Sequence, residues 1–329
     1  MDISPITPGD AATCAEAVGL FEAVNRHDLP DALTPSATAF TAYVANGWDD
    51  DPPAAFTARD ADRTLVGVAV AGRPVHENLH MSWMHVNVHP EHRRRGYGTA
   101  LLERLFEVAR ADGRRVAGID GWDSPVTEAF AARHGFERKA VGVSRRQDLT
   151  ALDWTVLDKL YDEAAAAARD YELVRIAGAL PDELLDPMAV LSGSINDAPT
   201  DDLDIEDDVF TADRLRILER SAEAREWNLY RVVARRRSDG ELAGHTAIFA
   251  ERGRPHVGHQ HDTAVAREHR GHRLGLLLKL DLLRWMRDAE PALGQIDTWN
   301  AESNDHMVAV NETLGYRVIG RELQYQRNL

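Results

Sequence analysis

The chain carries one sequence pattern twice, at a constant spacing. Residues 93–98 read Arg-Arg-Arg-Gly-Tyr-Gly, and residues 270–275, 177 positions further on, read Arg-Gly-His-Arg-Leu-Gly. The same spacing relates further markers in the two copies: Leu65-x-Gly67 with Leu242-x-Gly244, and Ile119-Asp120-x-Trp122 with Ile296-Asp297-x-Trp299. After three inserted residues, Gly135-Phe136 corresponds to Gly315-Tyr316. Markers that recur in one order at one spacing indicate a duplicated domain, and so long a period indicates two complete folds rather than a solenoid.

The length of 329 residues suits two domains that each bury a core of their own. We predict a first domain over residues 1–152, a helical linker over 153–170 and a second domain over 171–329. The linker is predicted as a helix because residues 163–168 read Glu-Ala-Ala-Ala-Ala-Ala, and alanine has the highest helix propensity. Because the chain already contains two copies of the domain, we expect a monomer in which the two domains take the place of the two subunits of a dimer.

The formal net charge of −16 argues against nucleic acid as a partner, because binding phosphates requires a broad basic face. A field of this sign favours a cationic substrate such as an amine. The single cysteine, Cys14, excludes an internal disulfide and a cysteine metal cluster. No apolar stretch is long enough to span a bilayer and the N-terminus lacks the features of a signal peptide, so we expect a cytoplasmic protein without a membrane partner.

Hydrophobic periodicity predicts a mixed α/β fold in each copy. In the first copy, strand-like runs at 65–72, 84–88 and 116–120 alternate with helical spacing over 99–110 and 126–134, and the second copy repeats this order. The acidic stretch 201–208 has no counterpart in the first copy. A charge run of this kind is usually a solvated loop, which we favour, while its alternation with Leu203 and Ile205 leaves a substrate-facing role as an alternative.

The repeated turn has the composition of a phosphate-binding site. The first turn of a helix presents unpaired N–H groups and the positive end of the helix dipole, and glycines let a diphosphate approach the backbone. Arg93-x-x-Gly96-x-Gly98 before an apolar helix supplies these parts. The turn is not a P-loop, because no Gly-Lys-Ser/Thr follows, and its spacing differs from that of the dinucleotide fingerprint.

The segment Val88-x-Pro90-Glu91-x-Arg93-x-x-Gly96-x-Gly98-x-x-Leu101-Leu102 resembles motif A of the GCN5-related N-acetyltransferases. Residues 132–137 and 311–316 look like the later helix and strand of that family. The resemblance covers essentially the whole chain as two tandem domains. It implies acetyl-CoA-dependent transfer of an acetyl group to a primary amine of a small molecule or peptide, by direct attack. The alternative is a CoA-binding or scaffold module in which one or both halves are inactive.

The resemblance also implies which residues hold acetyl-CoA. In the first half these are Val86, Val88, Arg93, Arg94, Arg95, Gly96, Tyr97, Gly98 and Thr99. In the second half they are Thr263, Val265, Arg270, Gly271, His272, Arg273, Leu274 and Gly275. The family's asparagine eleven residues before the later glycine is met by Asn304, and Ser124 takes that place in the first half.

The chain departs from the family pattern at two positions. Arg273 replaces the first glycine of the second turn, so we expect less backbone freedom there. The family often places a tyrosine, the acid for the departing thiolate, where this chain has Ala131 and Asn311. Neither of these side chains is a good proton donor.

Members of this family often carry the general base on the strand that leads into the turn. The candidates are His85 in the first half, and His259, His261 and Asp262 in the second. A carboxylate or histidine within one water of the amine would assist attack. His259 and His261 lie on one face of a strand, but zinc would need further ligands, so we predict no metal site.

Overall fold

A computed structural model describes residues 1–329 and divides the chain into two compact units. The first unit comprises residues 1–143, 200–206 and 319–329, and the second comprises residues 144–199 and 207–318. No helix has both the length and the apolar character needed to cross a membrane.

The strands, in chain order, are β1 (Asp2–Pro5), β2 (Ala54–Arg59), β3 (Leu65–Ala71), β4 (Met81–Val88), β5 (Val116–Trp122), β6 (Glu137–Asp148), β7 (Tyr171–Ala177), β8 (Trp227–Arg236), β9 (Leu242–Glu251), β10 (Val257–Val265), β11 (Gln295–Ala301) and β12 (Tyr316–Asn328). The α-helices are α1 (Ala11–Asp28), α2 (Ala37–Asn46), α3 (Tyr97–Ala111), α4 (Pro125–Arg133), α5 (Trp154–Ala167), α6 (Asp182–Ser192), α7 (Ala212–Ala224), α8 (Leu274–Ala289) and α9 (Asp305–Thr313). The predicted mixed α/β fold is therefore confirmed.

In the first unit the strands follow the order β1-β2-β3-β4-β5-β12. Strands β4 and β5 are parallel, whereas β1–β2, β2–β3, β3–β4 and β5–β12 are antiparallel. Helix α3 covers this sheet because Leu101, Leu102, Leu105 and Phe106 recur at helical spacing and are buried. They form the core with residues from β3, β4 and β5.

The second unit repeats this arrangement with the order β6-β11-β10-β9-β8-β7. Strands β10 and β11 are parallel, and β9 pairs antiparallel with β10 and with β8. Helix α8 takes the place of α3, and its leucines fill the core. The segment predicted as a helical linker, 153–170, contains α5, which packs Leu157 and Ala164 into that core and is therefore part of the second unit.

The last strand of each unit comes from a different part of the chain than the repeat boundaries predict. Residues 319–329 complete the first unit, where β12 pairs with β5 from Glu322↔Trp122 to Asn328↔Val116. Residues 144–148 of β6 belong to the second unit, where Arg146 forms an ion pair with Asp297. The end of the second sequence copy therefore belongs to the first unit, and the end of the first copy belongs to the second unit.

The acidic stretch is attached to the first unit through residues 200–206. Most of its side chains are exposed, as expected of a solvated loop, but its backbone is held at specific points. The Glu206 N–H donates to Asn78 Oδ1 at 2.7 Å, and the Asn78 N–H donates to the Glu206 carboxylate at 2.6 Å. The Asp204 N–H donates to Gln326 Oε1 at 2.8 Å.

Candidate functional site

In each unit, the two parallel strands separate next to the repeated turn. Pairing of β4 with β5 runs from Met81↔Val116 only to Met84↔Ile119, although β4 continues to Val88. In the second unit, β10 pairs with β11 only from Val257 to His259, and its register against β9 shifts between Gln260 and Thr263. The end of each strand therefore has no partner on one side, and a cleft opens there.

The two turns share one backbone conformation but exchange their residue types. Arg94 and Gly96 have φ of 64° and 90° in the first unit, and their counterparts Gly271 and Arg273 have φ of 87° and 57°. Each turn thus contains two left-handed residues, one glycine and one arginine, in opposite order. The replacement of glycine by Arg273 was expected to reduce the backbone freedom of the second turn. Arg273 nevertheless adopts the left-handed conformation that Gly96 adopts in the first copy.

The helices that begin at these turns have no side-chain cap. Gly96 precedes α3 and Arg273 precedes α8, and neither helix start is closed by a side-chain hydrogen bond, whereas the starts of α1, α2, α4 and α9 are. The first-turn N–H groups of an α-helix have no partner within the helix. These donors, at the positive end of a helix dipole, fit the pyrophosphate of CoA.

The arginine that opens each motif is tied to its own unit. Arg93 Nε donates to Val88 O at 3.1 Å, and its Nη1 donates to Asp28 at 2.8 Å. Arg270 Nε donates to Val265 O at 3.2 Å and its guanidinium binds Asp197. Both arginines fasten the turn to the end of the preceding strand and to an acid elsewhere in the unit. This contact accounts for their recurrence in the two copies without a bound phosphate.

A cavity of about 450 Å³ in the first unit brings the cleft and the turn together. Of the predicted cofactor residues, the following line it: Val86, Val88, Arg93, Arg94, Gly96, Tyr97, Gly98, Thr99 and Ser124. Arg95 is exposed and is not part of the lining. Ser124 has a structural task as well, because its Oγ caps α4 by accepting from Thr127 N.

Three ionisable side chains meet in this first cavity. His85 Nδ1 lies 3.0 Å from Asp120 Oδ1, and Trp83 Nε1 donates to Asp120 Oδ2 at 2.5 Å. Glu322, on β12, lines the same cavity. Desolvation alone would lower the pKa of His85, but the Asp120 carboxylate outweighs it and, with Glu322, raises the pKa of His85 to about 9. Burial and the neighbouring Asp120 raise the pKa of Glu322.

The second unit has a larger cavity, of about 910 Å³, at the equivalent place. The predicted residues that line it are His261, Asp262, Thr263, Val265, Arg270, Gly271, Arg273, Leu274, Gly275 and Asn304. His272 and Asn311 are outside the lining. Asn304 caps α9, because its Oδ1 accepts from Met307 N at 3.2 Å.

The three candidates for the general base in the second half do not lie together. His261 and Asp262 line the cavity, with Nε2 and Oδ2 3.5 Å apart. His259 lies outside it, where Nε2 is 2.7 Å from Glu251 Oε1 and the ring stacks on Trp227 at 4.9 Å. His259 and His261 thus have different surroundings, and His259 is held by its contacts with Glu251 and Trp227.

The sequence predictions omitted three polar residues that the structure places at the cavities: Asp120, Glu322 and Lys279. Asp120 was visible as a repeat marker, since Ile-Asp-x-Trp recurs in both copies. Glu322 gave no signal, because it lies in the second copy of the sequence but in the first unit of the structure. Lys279 was hidden within an apolar helical run.

The fold and the two turns define a tandem α/β protein in which each unit presents an uncapped helix start beside two separated parallel strands. The chain belongs to the acetyltransferase (GNAT) family, whose family model matches residues 21–136 and 198–316. The predicted membership in this family, as two tandem domains, is confirmed.

Several known proteins resemble the chain. Mycothiol acetyltransferase of Stackebrandtia nassauensis is 33% identical over 147 residues, which are 44% of this chain and 46% of that protein. Mycothiol acetyltransferase of Parafrankia sp. is 34% identical over 95 residues, 28% of this chain and 27% of that protein. The chain therefore spans less than half the length of these curated relatives.

Among solved structures, a tandem GNAT protein from the clavulanic acid biosynthesis pathway, solved without acetyl-CoA, superposes with a TM-score of 0.81 at 26% identity, over 99% of this chain and 98% of that one. A GCN5-related N-acetyltransferase from Sphaerobacter thermophilus superposes with a TM-score of 0.68 at 16% identity, over 99% and 95% of the two chains, which shows the fold alone.

Proposed function

We propose that the protein is an acetyl-CoA-dependent N-acetyltransferase that acetylates a primary amine of a small molecule or peptide, and that the first unit carries the reaction. One observation carries this proposal: a single cavity joins the uncapped start of α3 to the cluster of His85, Asp120 and Glu322. The names of the curated relatives and of the tandem neighbour support acetyl transfer. Acetyl-CoA, when bound, supplies an activated thioester.

The first turn supplies the binding groups for that cofactor. The N–H groups of Tyr97, Gly98 and Thr99, in the first turn of α3, would hold the pyrophosphate. Gly98 allows this turn to pack closely against α4, because a Cβ there would lie 3.2 Å from the Phe130 ring. The unpaired end of β4, at Val86 and Val88, would hold the pantetheine arm by backbone hydrogen bonds.

The His85–Asp120 pair would manage the proton of the acceptor amine. With its pKa raised to about 9, His85 is mainly an imidazolium at neutral pH and becomes a base as the pH rises toward 9. Its pKa then lies near that of an alkylammonium ion, so a proton passes between the two groups at little free-energy cost. Asp120 fixes the ring through Nδ1, which leaves Nε2 to exchange the proton.

The charge of the whole chain favours a cationic acceptor. The formal net charge of −16 attracts cations over a long range, whereas inside the cavity the Asp120 carboxylate already has His85 as its partner. The cavity volume of about 450 Å³ suits a small amine or the end of a peptide.

The test is a release assay for free thiol, with acetyl-CoA and a panel of small amines and peptide N-termini. We expect at least one amine to be acetylated, and His85→Gln to reduce kcat by about 10²-fold or more, the usual contribution of a general base. His76→Gln is the matched control, because His76 is exposed and is not part of the cavity lining.

Two results would contradict the proposal. If no amine on a broad panel releases thiol, the chain does not catalyse this transfer. If His85→Gln leaves kcat unchanged while His261→Gln reduces it, the chemistry belongs to the second cavity.

A further inference from the structure

The second unit buries a lysine that the proposed reaction does not use. Lys279 lies on α8, is 4% exposed and lines the second cavity. Its Nζ donates to Asn311 Oδ1 at 2.7 Å and stands 4.8 Å from the centre of the Tyr316 ring. It forms no ion pair with a carboxylate, and burial lowers its pKa to about 7. A cation without a counter-ion in such a position destabilises the unfilled cavity.

The hydrogen bonds around Lys279 run in one direction. An ammonium group only donates, so Asn311 must accept with Oδ1 and turn its Nδ2 to Asn300, where it donates to Oδ1 at 2.7 Å. When Lys279 is an ammonium group, the capacity that remains on it and on the Asn300 amide nitrogen is donation. Both residues line the cavity. This wall is suited to an electron-rich group, and an anion would also restore the charge balance.

The first unit shows that the fold does not require these polar groups. At the positions equivalent to Lys279, Asn311 and Tyr316 the first copy has Leu102, Ala131 and Phe136, and all three are buried in the core. Packing of α3 against its sheet succeeds with apolar residues alone. The polar set in the second unit therefore points to a ligand.

The size of the second cavity narrows the class of ligand. Its volume of about 910 Å³ is twice that of the first, about 450 Å³, although the two turns share one conformation. The same type of cofactor cradle thus leads into a roomier space, whose lining carries Asp262 on β10 and the unpaired ammonium group of Lys279 on α8. An acyl group longer than acetyl that carries a negative charge fits both properties.

We propose that the second unit binds an acyl-CoA whose acyl chain ends in a carboxylate, and that Lys279 binds this carboxylate. The inference rests on the proposed function only in that the second turn must hold CoA as the first does. An ammonium–carboxylate hydrogen bond inside the protein is stronger than a neutral one and gives Lys279 its missing counter-ion. The two units would then differ in the acyl-CoA that they select.

The experiment compares succinyl-CoA with acetyl-CoA in calorimetric titrations of the full chain at pH 8. We expect one site with at least tenfold higher affinity for succinyl-CoA, and we expect Lys279→Met to abolish that preference. Lys279→Met removes the charge and keeps an unbranched side chain, so it leaves the packing of α8 intact. Leu102→Met, at the equivalent position of the first unit, is the control and should leave the preference unchanged.

A second readout is the proton uptake that accompanies binding. A lysine with a pKa of about 7 is largely neutral at pH 8, and a bound carboxylate raises its pKa, so succinyl-CoA should bind with uptake of close to one proton. Titrations in buffers of different ionisation enthalpy measure this number. Equal affinities for the two acyl-CoAs, or a preference that survives in Lys279→Met, would overturn the inference. Thiol release by the first unit is independent of either result, so the two proposals can fail separately.

Discussion

The exchanged residues of the two turns allow a quantitative test of the backbone conformation on which cofactor binding depends. Arg273 has φ of 57° and ψ of 21°, and a non-glycine residue in this left-handed region costs about 1–2 kcal/mol. Glycine escapes that cost, although it loses about 0.5–1 kcal/mol more conformational entropy on folding. We expect Arg273→Gly to stabilise the second unit by about 0.5–1 kcal/mol.

The side chain of Arg273 contributes little against this gain. Its guanidinium lies 3.6 Å from Glu163, and both side chains are 46% exposed, so the ion pair is screened by solvent and contributes a few tenths of a kcal/mol. Arg273→Ala is the matched control, because it removes the ion pair but keeps a Cβ in the left-handed region. The difference between the glycine and alanine variants isolates the backbone effect.

Urea unfolding followed by circular dichroism measures the free energies, and thermal unfolding should shift by about 2–4 °C per kcal/mol for a unit of this size. Acetyl-CoA affinity should change little, because the turn already has the same conformation as the first unit. Equal stability of Arg273→Gly and Arg273→Ala would refute the left-handed assignment. A large gain in acetyl-CoA affinity in Arg273→Gly would instead show that the arginine limits binding.

Three further predictions concern His85, His245 and Gly118. The kcat/KM of acetyl transfer should rise with pH toward 9, where His85 loses its proton, and a profile in His85→Gln that still rises in the same way would exclude His85 as the base. His245 is fully buried with its pKa lowered to about 4, so its stabilisation is present above pH 6.5 and is lost as the pH falls toward 4; urea unfolding of His245→Gln should show a flatter dependence over that window. Gly118→Ala should destabilise the first unit by about 1–3 kcal/mol, since a Cβ there would lie 2.2 Å from the Trp83 ring, and should lower kcat through the Trp83–Asp120 contact. Unchanged unfolding in Gly118→Ala would show that Trp83 has room to move.

The duplication, the mixed fold and the phosphate-type turn were all predictable from the sequence, because each depends on local spacing. Glycines, a basic residue and an apolar helix within ten positions specify the turn. His85, His261 and Asp262, predicted on the strands that lead into the turns, line the clefts, whereas His259 on the same strand as His261 does not. Their actual roles depend on neighbours from other elements.

The remaining features could not be predicted because they depend on contacts distant in the chain. Asp120 contacts His85 and Trp83 from the neighbouring strand β5, and Glu322 reaches the cluster from β12, more than 200 positions along the chain. A charged residue in an apolar helical run, such as Lys279, is ordinarily assigned to a solvent-exposed face. Only the structure shows that it is buried.

The two units serve as an internal control that a single-domain protein lacks. Where both copies keep a feature, as with Arg93 and Arg270 on the carbonyls of Val88 and Val265, the fold explains it, because the contact is the same in each. Where the copies differ at equivalent buried positions, packing is not the reason for the polar member of the pair. On this comparison, Arg93 holds the turn in place, and Lys279 is the residue that we propose for ligand binding. Under the two proposals, the units share the turn whose N–H groups would hold CoA and differ at the side chains that would contact its acyl group.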